Sequence, residues 1–169
     1  GLDEKLLADA RQTENSTHGG FLIHAALNEA PVWKAGKAPE ACLCINMVDF
    51  TAMDEFRQVF DDLRYGKLPT HFCGYTSTHT RYDTSRAPDG KHTLYFYTFA
   101  PLKLKDGGHD AWDDISEQRK EWAMGNLQRY APNVSGDNIL KLVTESPLDM
   151  SRHSPSFRYG DPTGLAMFI

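Results

Sequence analysis

The chain has 169 residues, a net charge of −5, 40% hydrophobic and 24% charged residues, the balance of one globular domain with a sizeable core. An acidic total with no basic block argues against nucleic-acid binding, and no stretch approaches the roughly 18 consecutive apolar residues of a membrane span. Three cysteines, of which Cys42 and Cys44 stand two apart on an expected strand, predict free thiols in a reducing, cytoplasmic setting, and no segment reads as a signal peptide.

Leu2 to Arg11 places Leu2, Leu6, Leu7 and Ala10 on one face, which predicts a short amphipathic helix. Gln12 to Gly20 is polar and reads as a loop. Phe21 to Asn28 alternates Phe21, Ile23 and Ala25 against Leu22, His24 and Ala26, a strand pattern. After a loop from Pro31 to Pro39 that carries Trp33, Ala41 to Val48 reads as a second strand. Thr51 to Tyr65 is the clearest helix, with Met53, Phe56, Val59, Phe60 and Leu63 on one face. Thr51 is the expected cap, with Asp54 supporting the first turn and Gly66 ending the helix. Thr70 to Thr80 then reads as a strand.

Asp83 to Pro101, DTSRAPDGKHTLYFYTFAP, organises the rest. Pro88, Asp89 and Gly90 predict a tight turn over Ala87 to Gly90. His92 to Phe99 follows as an aromatic run apolar on both faces, the pattern of a central strand covered on both sides. Tyr95 and Tyr97 fall on one face, Leu94 and Phe96 on the other. One face can pack on helices while the other lines a cavity with hydroxyl groups. Asp110 to Tyr130 reads as a long helix that Gly125 weakens by about 1 kcal/mol and that Ala131-Pro132-Asn133 stops. Ile139 to Thr144 fits strand or helix. Ser146, as cap, and Pro147 open a brief helix. The apolar run from Leu165 to Ile169 has no terminator, so it either packs back or continues into something longer. This order predicts an α+β fold, a single domain over 1–169 with a mostly antiparallel sheet and helices packed on one face.

Few constellations carry chemistry. Cys42, Cys44, His71 and Cys73 form a C-x-C and H-x-C set, but structural zinc ligands are usually spaced more widely, which favours thiols in a packed sheet. Of the scattered histidines His79, His92, His109 and His153, His92 stands out because it follows a fixed turn; a bond that secures the turn is its first expected role. Asp149 and Arg152 read as an exposed i,i+3 pair. There is no nucleophile elbow, Walker loop, paired-cysteine redox motif or G-x-G-x-x-G dinucleotide fingerprint, and no residue reads as a catalytic base.

Several pieces, taken in order, resemble one family. DTSRAPDGKH before an aromatic strand ending in proline is the most specific. FLIHAALNEAPVW, LRYGKLPTHF, LQRYAPN, TESPLDMSRH and YGDPTGLAMFI accompany it, from about Phe21 to Ile169, with Ser146 and Ser151 departing from the family's Thr and Glu. Together they resemble the FAD-dependent phytoene dehydrogenase-related oxidoreductases, flavoproteins of the carotenoid desaturase and amine oxidase type. The resemblance implies the substrate side of such an enzyme. FAD would be held by a glycine fingerprint and a Gly-rich segment in another part of the same polypeptide, its FAD-binding half. The implied chemistry is hydride transfer from a small, mostly apolar substrate to FAD, with peripheral membrane contact as a route to lipid-like substrates and no catalytic power in this chain alone. The expected substrate-facing residues are Tyr95 and Tyr97, with His79 and His92 beside them. The alternative is a stand-alone α+β module that binds an apolar ligand or a protein partner.

Overall fold

A computed structural model describes residues 3–163 apart from residues 13 and 15. The expectations placed on Leu2 and on the tail from Leu165 to Ile169 therefore lie outside the described residues. The fold is α+β. Among the described residues five strands form one sheet in the order β2-β3-β4-β1-β5, and every pairing is antiparallel. The strands are β1 (His18–Leu27), β2 (Cys44–Val48), β3 (Cys73–Ser77), β4 (His92–Pro101) and β5 (Ile139–Glu145). The helices are α1 (Glu4–Gln12), α2 (Met53–Arg64), α3 (Trp112–Tyr130) and α4 (Pro147–His153).

The aromatic strand β4 lies at the centre, between β3 and β1. Its two faces have different surroundings. Leu94, Phe96, Thr98 and Ala100 are buried, whereas Tyr95, Tyr97 and Phe99 remain half-buried. Leu94, Phe96 and Ala100 join Phe21, Ile23, Phe72, Trp112 and Leu127 in the core under α3. Phe21 stacks on Trp112 with ring centroids 6.0 Å apart, and the Trp112 indole donates to the Pro101 carbonyl at 3.2 Å. Hydrophobicity alone predicts cover on both faces of β4. Tyrosine, however, combines an apolar ring with a polar tip, so a row of tyrosines can stand at a partly open face.

Arg119 is buried in α3, and among the described residues no acidic residue pairs with it. Its guanidinium donates to the Phe99 carbonyl at 3.2 Å and lies 3.7 Å over the Trp122 ring. Burial pulls its pKa down to about 9.

Helix ends follow local chemistry. α2 starts one residue later than the Thr51 cap implies: Ala52 is the cap, and the Glu55 carboxylate accepts from the Thr51 and Ala52 N–H groups at 2.8 and 3.1 Å. Those backbone bonds hold the Glu55 carboxyl below its ordinary range. At the other end, Gly66 has φ +69°, and Gly66 and Lys67 N–H groups donate to the Leu63 and Asp62 carbonyls, a Schellman closure. α4 begins as the sequence implies, with Asp149 N–H donating to Ser146 Oγ at 3.2 Å and Ser146 N–H to the Asp149 carboxylate at 2.9 Å. Such a capping box is worth about 1 kcal/mol.

β2 and β3 are shorter than the stretches expected from Ala41 to Val48 and from Thr70 to Thr80. Pro39 sits in a 3-10 turn over Ala38–Ala41, which delays β2 to Cys44. After Ser77 the chain turns into a 3-10 segment, His79–Arg81, because Thr80 is needed elsewhere: its hydroxyl accepts from Thr93 N–H at 3.2 Å. The turn before β4 closes with Lys91 N–H on the Pro88 carbonyl at 2.9 Å, with Gly90 at φ +71°.

Candidate functional site

Strand alternation and register define the partly open face. Tyr75 of β3 pairs with Tyr97 of β4, and Tyr97 pairs with Leu22 of β1. Tyr95 is flanked in the same way by Ser77 and His24. Residues paired in register share a face, so Tyr75, Tyr95, Tyr97, Leu22 and His24 stand together opposite the helix-covered core. The rings touch. Tyr75 stacks on Tyr97 at 4.9 Å and 15°, and it lies 5.9 Å from Tyr95. His24 meets Tyr95 edge-on at 5.2 Å, and Tyr97 meets Phe99 at 5.4 Å.

Gly20 makes room for this arrangement. A Cβ there would lie 2.2 Å from Cε2 of Tyr97, so the Tyr97 ring lies across the bare backbone of β1. The end of the face is closed by α2, whose Phe60 contacts the rings of His18 and Phe99 at 5.6 Å each. At the other end a cavity of about 570 Å³ is bordered by His24, His79, Arg86, Thr93, Tyr95 and Lys141. Its size suits a small organic molecule.

Burial, and after it the Tyr75 hydroxyl, pushes the Tyr95 phenol up. Burial also pushes Tyr97 up, with the phenol of Tyr75 and the carboxylate of Asp161 adding to it. Both stay neutral at physiological pH and act as hydroxyl donors on an apolar wall.

The four residues expected from the sequence separate. Tyr95 and Tyr97 share the open face. His79 reaches its edge, 6.4 Å from the Tyr95 ring centroid. His92 belongs by alternation with Leu94 and Phe96, and its Nδ1 lies 3.2 Å from Thr80 Oγ1. It therefore secures the turn before β4 and is not brought together with the tyrosines. Sequence reasoning missed Tyr75, Leu22 and His24. Alternation within Cys73–Ser77 places Tyr75 on one face of its strand, but only the register shows that this is the face of Tyr97.

Cys42, Cys44 and Cys73 are free thiols. Cys44 pairs with Ser77 and Cys73 with Val48, at opposite ends of the β2–β3 ladder. Among the described residues no group of His, Cys, Asp or Glu is placed to hold a metal ion, and no helix is long and apolar enough to cross a membrane. Arg152 is not confined to its 3.5 Å contact with Asp149: it forks onto Asp113 at 2.8 and 2.6 Å, which ties α4 to the start of α3.

His18 gives the face a pH dependence. Burial lowers its pKa below the ordinary 6.5, partly opposed by Asp161. The folded state thus prefers the neutral ring. Its contribution to stability is complete above pH 6.5 and is lost as pH falls below that value, because the unfolded chain then binds the proton more readily. Burial, and then Arg81, lowers His92 in the same direction. The urea midpoint is expected to fall between about pH 7.5 and about pH 5.5, and His18→Gln is expected to reduce that fall. An unchanged pH slope in the variant would remove His18 from this role.

No family model matches the chain, and no curated protein matches it.

Proposed function

We propose that this chain is the substrate-side portion of an FAD-dependent oxidoreductase of the phytoene dehydrogenase-related type. In this reading the Tyr75–Tyr95–Tyr97 face forms one wall of the pocket for a small, mostly apolar substrate. The observation that carries the reading is the asymmetry of the sheet: α3 buries one face, while the other presents stacked, half-buried tyrosines beside a cavity. The ordered motifs around DTSRAPDGKH support it.

The aromatic wall suits a flat, apolar flavin–substrate pair, and the residues described here would contact the substrate. The glycine-rich segments that would hold FAD belong to the other half of the parent polypeptide. When bound, FAD supplies the acceptor for the substrate's hydride. This chain's own contribution is to orient and exclude water: Tyr97 and Tyr75 supply flat apolar surface, Tyr95 and Tyr97 supply neutral hydroxyl donors, and His24 and His79 border the polar end. No residue here is assigned as a base. The free thiols fit a cytoplasmic enzyme, and collection of a lipid-like substrate at a membrane surface belongs to the same proposal. The same open face would equally serve an apolar ligand of a stand-alone module, and flavin content of the parent protein separates the two.

The test is made in the full-length parent. It is expected to purify with flavin absorbance, and Tyr97→Ala is expected to lower turnover of the native substrate by about tenfold or more with a smaller effect on stability. Equal turnover per folded molecule sinks the wall assignment. Tight, stoichiometric FAD binding by the 169-residue chain alone overturns its placement on the substrate side.

A further inference from the structure

A second cavity, of about 370 Å³, lies at the opposite end of the strands from the one beside Tyr95. Three elements bring cations to it: Arg64 ends α2, Lys103 follows β4, and Arg158 precedes the turn at Tyr159. Ser16 and Thr17 add hydroxyl groups, and Glu14 is the one carboxylate among its lining residues. Among the described residues Arg64, Lys103 and Arg158 make no ion pair, whereas other arginines, such as Arg57, Arg86 and Arg152, do.

Two of the three cations, Lys103 and Arg158, gather on one ring. Tyr159 adopts φ +57°, the one left-handed non-glycine residue among those described, and such strain persists only where the surroundings enforce it. Here Gly160, at φ +78°, packs so closely that a Cβ would sit 2.1 Å from the Pro147 carbonyl oxygen. On the facing wall, a Cβ on Gly66 would sit 2.7 Å from both Lys103 O and Lys105 N. The Tyr159 ring thereby lies under Lys103, with Nζ 3.8 Å from its centroid, and Arg158 stands 5.2 Å away. Arg158 and Lys103 also lower the Tyr159 pKa below its ordinary 10.0, in keeping with the positive charge gathered at this ring.

We propose that this cavity binds the phosphate group of a small molecule, held by Arg64, Lys103 and Arg158. A carboxylate offers two oxygens and is satisfied by one guanidinium fork. Two guanidinium groups and an ammonium converging from separate elements match the three oxygens and double charge of a phosphate monoester. The cavity is larger than a phosphate ion, which leaves room for an organic body beside Leu63 and Leu102. The site is independent of the tyrosine face and of its assignment.

Calorimetric titration of the 169-residue chain with phenyl phosphate, inorganic phosphate and benzoate at low salt tests this. Phenyl phosphate is expected to bind, benzoate at least about tenfold more weakly, and Arg158→Gln and Lys103→Gln are each expected to weaken the phosphate ligands about tenfold. Arg57→Gln, which removes an exposed cation paired with Asp54 on α2, is expected to leave binding unchanged. Circular dichroism confirms that each variant is folded. No binding of either phosphate ligand, equal binding of benzoate, or equal weakening by Arg57→Gln overturns the proposal.

Discussion

Gly160→Ala is expected to destabilise the fold by about 3–5 kcal/mol, a large share of the roughly 5–15 kcal/mol that holds a domain together. Two costs add. The residue sits at φ +78°, where an L side chain loses about 1–2 kcal/mol. The new methyl would also lie 2.1 Å from the carbonyl oxygen of Pro147 and 2.6 Å from its Cα, backbone atoms that cannot swing aside. Relief requires the turn to move, and the turn carries Asp161, whose carboxylate accepts from Ser16 N–H at 2.8 Å and Thr163 N–H at 2.8 Å. Gly90→Ala provides the comparison. Its φ of +71° is similar, but nothing lies within 4 Å of the added Cβ, so only the conformational cost of about 1–2 kcal/mol applies. Urea unfolding of both variants separates strain from collision, and equal losses would show that Pro147 yields.

Trp112→Ala is expected to cost about 3–5 kcal/mol, with a further loss because the Pro101 carbonyl forfeits its indole partner. Trp112 is fully buried, stacks on Phe21 and begins α3. Deleting it opens a cavity where the long helix first meets the sheet. Trp112→Phe keeps most of the ring and drops only the hydrogen bond, so it is expected to lose about 1–3 kcal/mol. If the alanine variant loses no more than the phenylalanine variant, the stacking on Phe21 contributes little and the packing argument for α3 fails.

What the sequence makes legible here depends on range. Gly66, Ser146, Pro147 and the Pro88-Asp89-Gly90 turn act through neighbours a few residues away, and each stands where its local chemistry puts it. The periodicity of the helix from Asp110 and the alternation from Phe21 are local too, and α3 and β1 follow them with shifted ends. The ambiguous stretch from Ile139 became β5 because it found β1 as a partner, information that no window of the chain contains. The candidate face shows the same division. Tyr95 and Tyr97 are two apart on one strand, so their shared side could be read directly. Tyr75, Leu22 and His24 join them only through pairing across the sheet. His92 lies an odd number of residues from Tyr95, and alternation alone sends it to the other side. The cap falls on Ala52 and not Thr51, because the Glu55 side chain folds back to accept from the N–H groups of both.

The strand order also governs how the chain comes together during synthesis. β1 is made before both of its neighbours, β4 and β5: Leu27 awaits His92 and Leu22 awaits Glu145. Until Glu145 has left the ribosome, Phe21, Ile23 and Leu27 have no complete core to enter, and one edge of β1 offers unpaired N–H and C=O groups to any passing strand. Closure over such separations is entropically slow, on the order of milliseconds to seconds once the chain is whole. From Leu27 to Glu145 the nascent chain therefore carries its most buried strand without its full set of partners, and a chaperone that shields that segment is expected to raise yield.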